Sequence, residues 1–320
     1  MKHLVVVNPI SFARNAHMIS IIRDYSAYFE NAAGENYLIY TSRYPRDAIS
    51  VTNEYVAGTN ETVRVYAVGG DGILYDCLNG IVNLPNAQLA AIPYGTANNF
   101  VRSFGEEKNQ IFRDIAKQAN ASVISTDVIN IGSKYALNFC SVGLEPAIFL
   151  KYYEVSKKYP LLSQKIGKYL EIALAPFALL DEKVTHQKYE LYIDGMLCAG
   201  KYLGIGFANG PCNAINNVPF PMAHPADGLL EVLTLRYYIS PYLFIIAQKY
   251  AKGAYYKYPN EFKHVSAKEI SINSEMPMHV NADGEIYYDT KVRAKIIPNA
   301  INFVAPDGLS YIRRLEKHGK

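Results

Sequence analysis

Residues 62–72, Thr-Val-Arg-Val-Tyr-Ala-Val-Gly-Gly-Asp-Gly, run an apolar, β-rich segment straight into a glycine-rich turn, and Ile73 to Val82 beyond it reads as a helix. In an α/β chain such a junction is where an anion is held. Glycines let the backbone approach closely, and the unpaired N–H groups and positive dipole end of the next helix face the charge. Asp71 inside the turn adds a carboxylate able to orient a sugar hydroxyl, a metal or a neighbouring loop. A second turn of similar character, Pro93-Tyr94-Gly95-Thr96-Ala97-Asn98-Asn99-Phe100, follows the next predicted strand. One strand–glycine–helix turn serves tight packing as readily as ligand binding. Two on successive strands point to one shared cleft.

The first 126 residues alternate strand and helix signals: Leu4 to Val7 then Ala16 to Asn31, Tyr37 to Thr41 then Arg46 to Ala57, Val63 to Val68 with its helix, and Leu89 to Ile92 followed by Asn109 to Gln118. This alternation predicts a Rossmann-like parallel sheet covered on both faces, with ligands beyond the carboxyl ends of its strands. Asn8, Thr41, Gly69 and Thr96 all fall at those ends. From Asp127 to residue 295 the texture changes to short runs rich in β-branched and aromatic residues: Tyr189 to Ile193, Lys201 to Phe207, Leu229 to Leu235, Glu269 to Ile272 and Met278 to Asn281. Their spacing predicts an antiparallel β domain, interrupted by helical insertions at about Pro160 to Leu179 and Pro241 to Lys252.

At 320 residues the chain is long enough for two domains with substantial cores. A net charge of only +3, from dispersed basic residues, gives no support for a nucleic-acid surface. Cys77, Cys140, Cys198 and Cys212 form no CxxC pair and read as reduced residues of a cytoplasmic protein. The apolar stretch at Leu4 to Val7 is too short for a signal-peptide core and reads as a buried strand. Leu161 to Leu180 and Tyr238 to Tyr256 are apolar but contain lysines, so no transmembrane segment is expected. The chain has no HExxH, no GxSxG and no GxxxxGK[ST], which argues against zinc chemistry, triad hydrolysis and a P-loop kinase.

Taken together and in order, Asn8-Pro9-Ile10-Ser11, Gly69-Gly70-Asp71-Gly72, Asn79-Gly80, Gly95-Thr96-Ala97-Asn98-Asn99-Phe100, Asp127, Asp227-Gly228-Leu229 and Asp283-Gly284-Glu285 resemble the diacylglycerol kinase catalytic-domain family, particularly its soluble bacterial lipid kinases. The resemblance covers nearly the whole chain. It implies an N-terminal nucleotide-binding domain, a C-terminal β-sandwich-like domain, a cleft between them, and residues 296–320 returning to the first domain. It further implies ATP lined by Asn8, Pro9, Ile10, Ser11, Phe12, Thr41, Gly69, Gly70, Asp71, Gly72, Ile73, Leu74, Tyr75 and Thr96. Glu285 would accept the proton of a lipid hydroxyl, with Asp283 beside it as a second acid or metal-orienting group. Mg²⁺ would be held by Asp227 and the main-chain oxygens of His224 and Leu229, and a further ion at the phosphates by Asp71 and Asp127 through water. Taken alone, both Asp-Gly pairs are equally turn dipeptides.

Several positions depart from the family's pattern. Phe12 and Ala97 stand where glycine is usual, Ile73 where threonine is usual, Asp76 for glutamate and Asn99 for aspartate, and the glycine-rich stretch after Ala208-Asn209-Gly210 is missing. The leading expectation is an ATP- and Mg²⁺-dependent kinase acting on diacylglycerol or a related lipid. A nucleotide or lipid sensor that has lost turnover, and a kinase of a soluble hydroxyl compound, remain open alternatives. Lys165, Lys168, Tyr169, Lys249, Tyr250, Lys252, Tyr255, Tyr256 and Lys257 stand beside apolar runs, a pattern that suits the headgroup layer of a membrane as well as a core helix with a wet face. Oligomeric state, a homodimer included, is left open.

Overall fold

The run of apolar residues at the start of the chain is buried almost end to end because it forms the interior of a parallel sheet. The computed structural model describes residues 1–12, 18–32, 36–105, 108–159, 170, 173–213, 217–238 and 242–312. Its N-terminal half is built from β1 (Lys2–Val7), α1 (Pro9–Phe12), α2 (Met18–Ala32), β2 (Tyr37–Thr41), α3 (Asp47–Ala57), β3 (Val63–Gly69), α4 (Asp71–Ile81) and β4 (Ala87–Pro93). The four strands are parallel in the order β2-β1-β3-β4. Successive residues of a strand point to opposite faces. Leu4, Val6, Val65 and Leu89 accordingly pack with Ala48 and Val56 of α3 and with Leu74 and Leu78 of α4. Val5, Val7, Tyr66 and Val68 pack on the other face, with Tyr25 and Phe29 of α2.

The helix expected from Asn109 to Gln118 is two: α5 (Asn109–Arg113) and α6 (Ile115–Asn120). Asp114 breaks it, since its backbone is extended and its side chain accepts the Lys117 N–H at 3.1 Å, an N-cap that starts a second helix. Of the helix expected over Ala16 to Asn31, Ala16 and His17 lie outside the described residues and the remainder falls in α2.

The second half contains β5 (Ser122–Ile131), β6 (Lys134–Ala136), β7 (Phe139–Gly143), α7 (Leu144–Lys158), α8 (Glu182–Thr185), β8 (Tyr189–Ile193), β9 (Met196–Cys198), β10 (Tyr202–Ala208), β11 (Leu230–Arg236), α9 (Leu243–Ala251), β12 (Phe262–Ala267), β13 (Glu269–Ala282) and β14 (Glu285–Ala305). Antiparallel pairing runs β12-β11-β10-β7-β13-β14, and β8 and β5 pair with β13 and β14. Their inward faces share a core of Ile129, Val142, Leu191, Phe207, Val232, Ile272 and Val292. The two runs expected at Glu269 to Ile272 and Met278 to Asn281 are one strand, β13, whose register slips between Asn273 and Met278.

β14 joins the halves. Its first part pairs with β13, its later part with β5, and Asn302 and Phe303 lie parallel to Gln88 and Leu89 of β4. Residue 127, where the sequence analysis divides the chain, lies within β5. The insertion expected at Pro160 to Leu179 falls largely on residues 160–169, 171 and 172, outside the described residues. The insertion near Pro241 is α9, with residue 241 itself also outside.

Candidate active site

β1 is flanked by β2 on one side and β3 on the other, so the order of strand addition reverses there and a crevice opens beyond the carboxyl ends of β1 and β3. Register places Val7 against both Thr41 and Val68, and Gly69 against Pro93, so Asn8, Thr41, Gly69 and the Tyr94-Gly95 turn reach one edge. The Asn8 N–H donates to the Val68 carbonyl at 3.0 Å, and Asn8 Oδ1 accepts the Ile10 N–H at 3.0 Å. Pro9, Ile10, Ser11 and Phe12 make up α1 at the mouth, with Ile10 exposed. A Cβ on Gly69, whose φ is 154°, would stand 3.0 Å from Ser11 Oγ and 3.1 Å from Asn8 Cβ.

The two glycine turns are bonded to each other. Tyr94 and Gly95 both donate backbone N–H groups to the Gly69 carbonyl, at 2.7 and 3.0 Å. Gly70 and Gly95 touch: a Cβ on Gly95 would lie 2.3 Å from Gly70 Cα. Asp71 accepts the Asn99 N–H at 2.7 Å, and burial pushes its carboxyl up to about 6 against the pull of that bond. Gly72 has open space within 4 Å of where a Cβ would be, so the first turn of α4 is uncovered on that side. Thr96 is exposed in the second turn. Ile73, Leu74 and Tyr75 turn their side chains into the cores, so what they offer a ligand is main chain.

Opposite this cradle stands the hairpin between β13 and β14. Ala282 pairs with Glu285 across Asp283 (φ 48°) and Gly284 (φ 96°), a two-residue turn of left-handed residues. The Asp283 carboxylate accepts the backbone N–H groups of Leu137 at 2.5 Å and Phe139 at 2.7 Å, and Asn138 donates to it as well. Burial pushes Asp283 up to about 6, these amides oppose the rise, and the Asp71 charge adds to it. Asp283 thus fixes the hairpin to the chain between β6 and β7. Glu285 points back to the N-terminal half, where its carboxylate pairs with Arg46, and Arg46 pairs in turn with Asp76 on α4. The Arg46 guanidinium lies 5.0 Å from the centre of the Tyr75 ring. Sequence reasoning passed over Arg46, because an arginine before a helix-starting aspartate reads as a solvated residue.

Asp227 is only partly covered, in a loop in which His224 O accepts the Ala226 N–H and Asp227 Oδ1 accepts the Leu229 N–H at 3.1 Å. Burial and the nearby Glu231 and Asp127 carboxylates raise the Asp227 pKa, against the pull of the Leu229 N–H and of His224. A carboxylate and main-chain oxygens, here those of Asp227, His224 and Leu229, are the donor types a hard cation takes. Among the described residues no group of three His, Cys, Asp or Glu side chains would hold a metal. Asp127, 1% exposed, accepts the Gly228 N–H at 2.7 Å and the Asn299 N–H at 2.8 Å. It buttresses this loop, which leaves Asp71 as the carboxylate at the glycine turns.

Of the residues singled out for a membrane surface, Lys165, Lys168 and Tyr169 lie outside the described residues. Tyr250 packs against, and Tyr255 lies within, the core under α9, as the reading of a core helix with a wet face has it, while Tyr256, Phe244 and Ile245 are exposed. Among the described residues no helix is long and apolar enough to cross a membrane.

A parallel sheet with glycine turns after β3 and β4, joined by one long strand to an antiparallel β domain that returns an acidic hairpin, defines a two-domain α/β protein. Residues 2–131 match the diacylglycerol kinase catalytic domain and residues 158–305 the YegS C-terminal NAD kinase beta sandwich-like domain. The chain thus carries, one after the other, a diacylglycerol kinase catalytic domain and a YegS-type C-terminal domain. It is 28% identical over 251 residues to a Staphylococcus aureus (strain bovine RF122 / ET3-1) protein named "Putative lipid kinase", covering 77% of this chain and 78% of that one. A relative of the same name from strain JH9 is 28% identical over 254 residues, with the same shares. The crystal structure of "a putative diacylglycerol kinase from Bacillus anthracis str. Sterne" superposes with a TM-score of 0.71 at 23% identity, over 96% of both chains. A second such structure gives 0.66 at 24% identity, over 96% of this chain and 99% of that one. At these identities the likeness speaks for the fold.

Proposed function

We propose that the protein is a lipid kinase that transfers the γ-phosphoryl group of ATP to the hydroxyl of diacylglycerol or a related lipid. The observation that carries this reading is the short path from acid to cradle. Glu285 pairs with Arg46, and Arg46 with Asp76 on α4, the helix whose first turn is the glycine turn. One cleft then serves both the phosphates and the proton acceptor.

Backbone N–H groups of the Gly69–Gly72 turn bind phosphate, while Asn8, Ser11, Thr41 and Thr96 supply side-chain donors at the strand ends. The lipid hydroxyl gives its proton to Glu285 as its oxygen bonds to the γ-phosphorus; the bond to the β–γ bridging oxygen breaks and ADP leaves. Asp283, committed to three backbone amides, holds the hairpin that carries Glu285. Asp227 with the His224 and Leu229 carbonyls would hold Mg²⁺, whose charge offsets the acidic surroundings of that loop. The exposed Phe244, Ile245 and Tyr256, near Lys249, Lys252 and Lys257 in the chain, support attachment to a lipid surface.

The test is transfer from labelled ATP to vesicles containing diacylglycerol and to a panel of other lipid alcohols. Label should enter lipid, and Glu285→Gln should lower the rate by roughly 10²–10⁴-fold with nucleotide binding retained. Nucleotide binding without any lipid phosphorylation would overturn the reading. Vesicle-independent phosphorylation of a soluble alcohol would redirect it to that substrate class.

A further inference from the structure

At Arg46 the local structure and the distant contacts disagree about why the residue is there. It occupies the N-cap of α3 with φ 72° and ψ 0°, a left-handed conformation that favours glycine, and its side chain makes no capping hydrogen bond. Locally, then, arginine is a poor choice twice over. Strained residues persist where the surrounding structure over-determines them, and they collect at functional sites. What determines Arg46 is non-local: its guanidinium pairs with Asp76 on α4 and with Glu285 at the head of β14, and covers the Tyr75 ring at 5.0 Å. A planar guanidinium has donors enough to serve two carboxylates, which an ammonium holds with less directionality.

We propose that Arg46 is a positioning residue for Glu285, clamping its carboxylate to the α4 side of the cleft so that it faces the acceptor hydroxyl. This rests on the kinase reading above. Without the clamp Glu285 stands on a two-residue hairpin, its side chain 34% exposed and free to turn into solvent. Asp76, 11% exposed, anchors the other side of the guanidinium to the helix that begins at the glycine turn. The left-handed backbone of Arg46 is the strain that this aim requires.

Arg46→Gly is the informative variant, because glycine accepts φ 72° and folding is not the obstacle. With ATP and lipid vesicles, kcat should fall by about 100-fold, the order expected when a reacting group is misplaced by an ångström. KM for ATP should stay within about twofold, and millimolar guanidinium ion should restore part of kcat in Arg46→Gly alone. In the Glu285→Gln background the same substitution should cause no further loss. Wild-type kcat in Arg46→Gly, a loss confined to the ATP KM, or additive losses in the double variant would each overturn the proposal. Hydrogen exchange separates it from the kinase reading: amides of residues 284–288 should exchange faster in Arg46→Gly whether or not lipid is phosphorylated. Unchanged exchange there removes the clamp, whereas absent turnover in the wild type removes the kinase.

Discussion

Asp71, the first residue of α4, accepts the backbone N–H of Asn99 at 2.7 Å, so the two glycine turns of the sheet edge are held to each other by a carboxylate. The bond has a cost, since burial holds the Asp71 carboxyl up to about 6. Asp71→Ala leaves the Asn99 amide without this acceptor. Stability should fall by about 1–3 kcal/mol, the penalty of an unsatisfied buried donor, and Asp71→Asn, whose Oδ1 still accepts, should lose less. Urea midpoints of the three proteins decide the order.

Gly95→Ala should disturb the same junction by crowding. The added methyl would meet Gly70 Cα at 2.3 Å, and main chain cannot move aside as a flexible side chain does. A cost of about 1–3 kcal/mol is expected from overpacking, together with weaker ATP binding as the turns part. Thermal unfolding and calorimetric titration with ATP measure the two effects. Wild-type values in both would mean that the turns slide without consequence.

The loop at residues 224–229 predicts a contrast between two substitutions. Mg²⁺ should raise the unfolding temperature of the wild type, because a ligand bound only by the folded state stabilises it, by about 2.7 kcal/mol at a hundredfold excess over Kd. Asp227→Ala should abolish this response. His224→Ala should keep it, since in the proposed site His224 would contribute its carbonyl and not its ring. Equal loss in both variants would contradict the main-chain assignment.

His3 predicts a pH dependence of stability unrelated to the cleft. Its imidazole, 7% exposed, lies 2.8 Å from the Tyr66 hydroxyl, and burial, with Arg64 on the paired strand and the N-terminus, lowers it from 6.5 to about 4. Above pH 6.5 the ring is neutral in both states and the full stability is present. Between pH 6.5 and 4 the unfolded chain takes up a proton that the folded one refuses, so stability falls as pH falls, on the order of 3 kcal/mol in all. His3→Gln retains a partner for Tyr66 and should lose this slope. Denaturation at pH 7 and pH 4.5 would show it as a smaller difference between the two midpoints.

The parallel half was legible because its strands are buried on both faces and its turns must be glycine. Val63 to Val68 is apolar enough to read as an interior strand, which Gly69 ends before α4 begins at Asp71. Elements whose burial is uneven were harder. Ser122–Ile131 is uneven in burial at its start and is not among the strands expected from the sequence, although pairing with β14 makes it one. α7 begins directly at the end of β7, on Gly143 with φ 93° and no side-chain cap, so none of the usual start signals marks it. Glu285 to Arg293 is largely exposed, and only its partner β13 extends it into a 21-residue strand.

By itself the sequence determined the glycine turns, their place at the strand ends and the Asp283-Gly284-Glu285 hairpin, because φ requirements and hydrophobic period act between near neighbours. The tertiary structure alone decided that Asp283 is tied to the 137–139 backbone, that Asp127 braces the 224–229 loop, and that Arg46 reaches Glu285. Those are pairings of charged or polar groups far apart in the chain. Their energy depends on distance and burial after folding, and no local spacing encodes either.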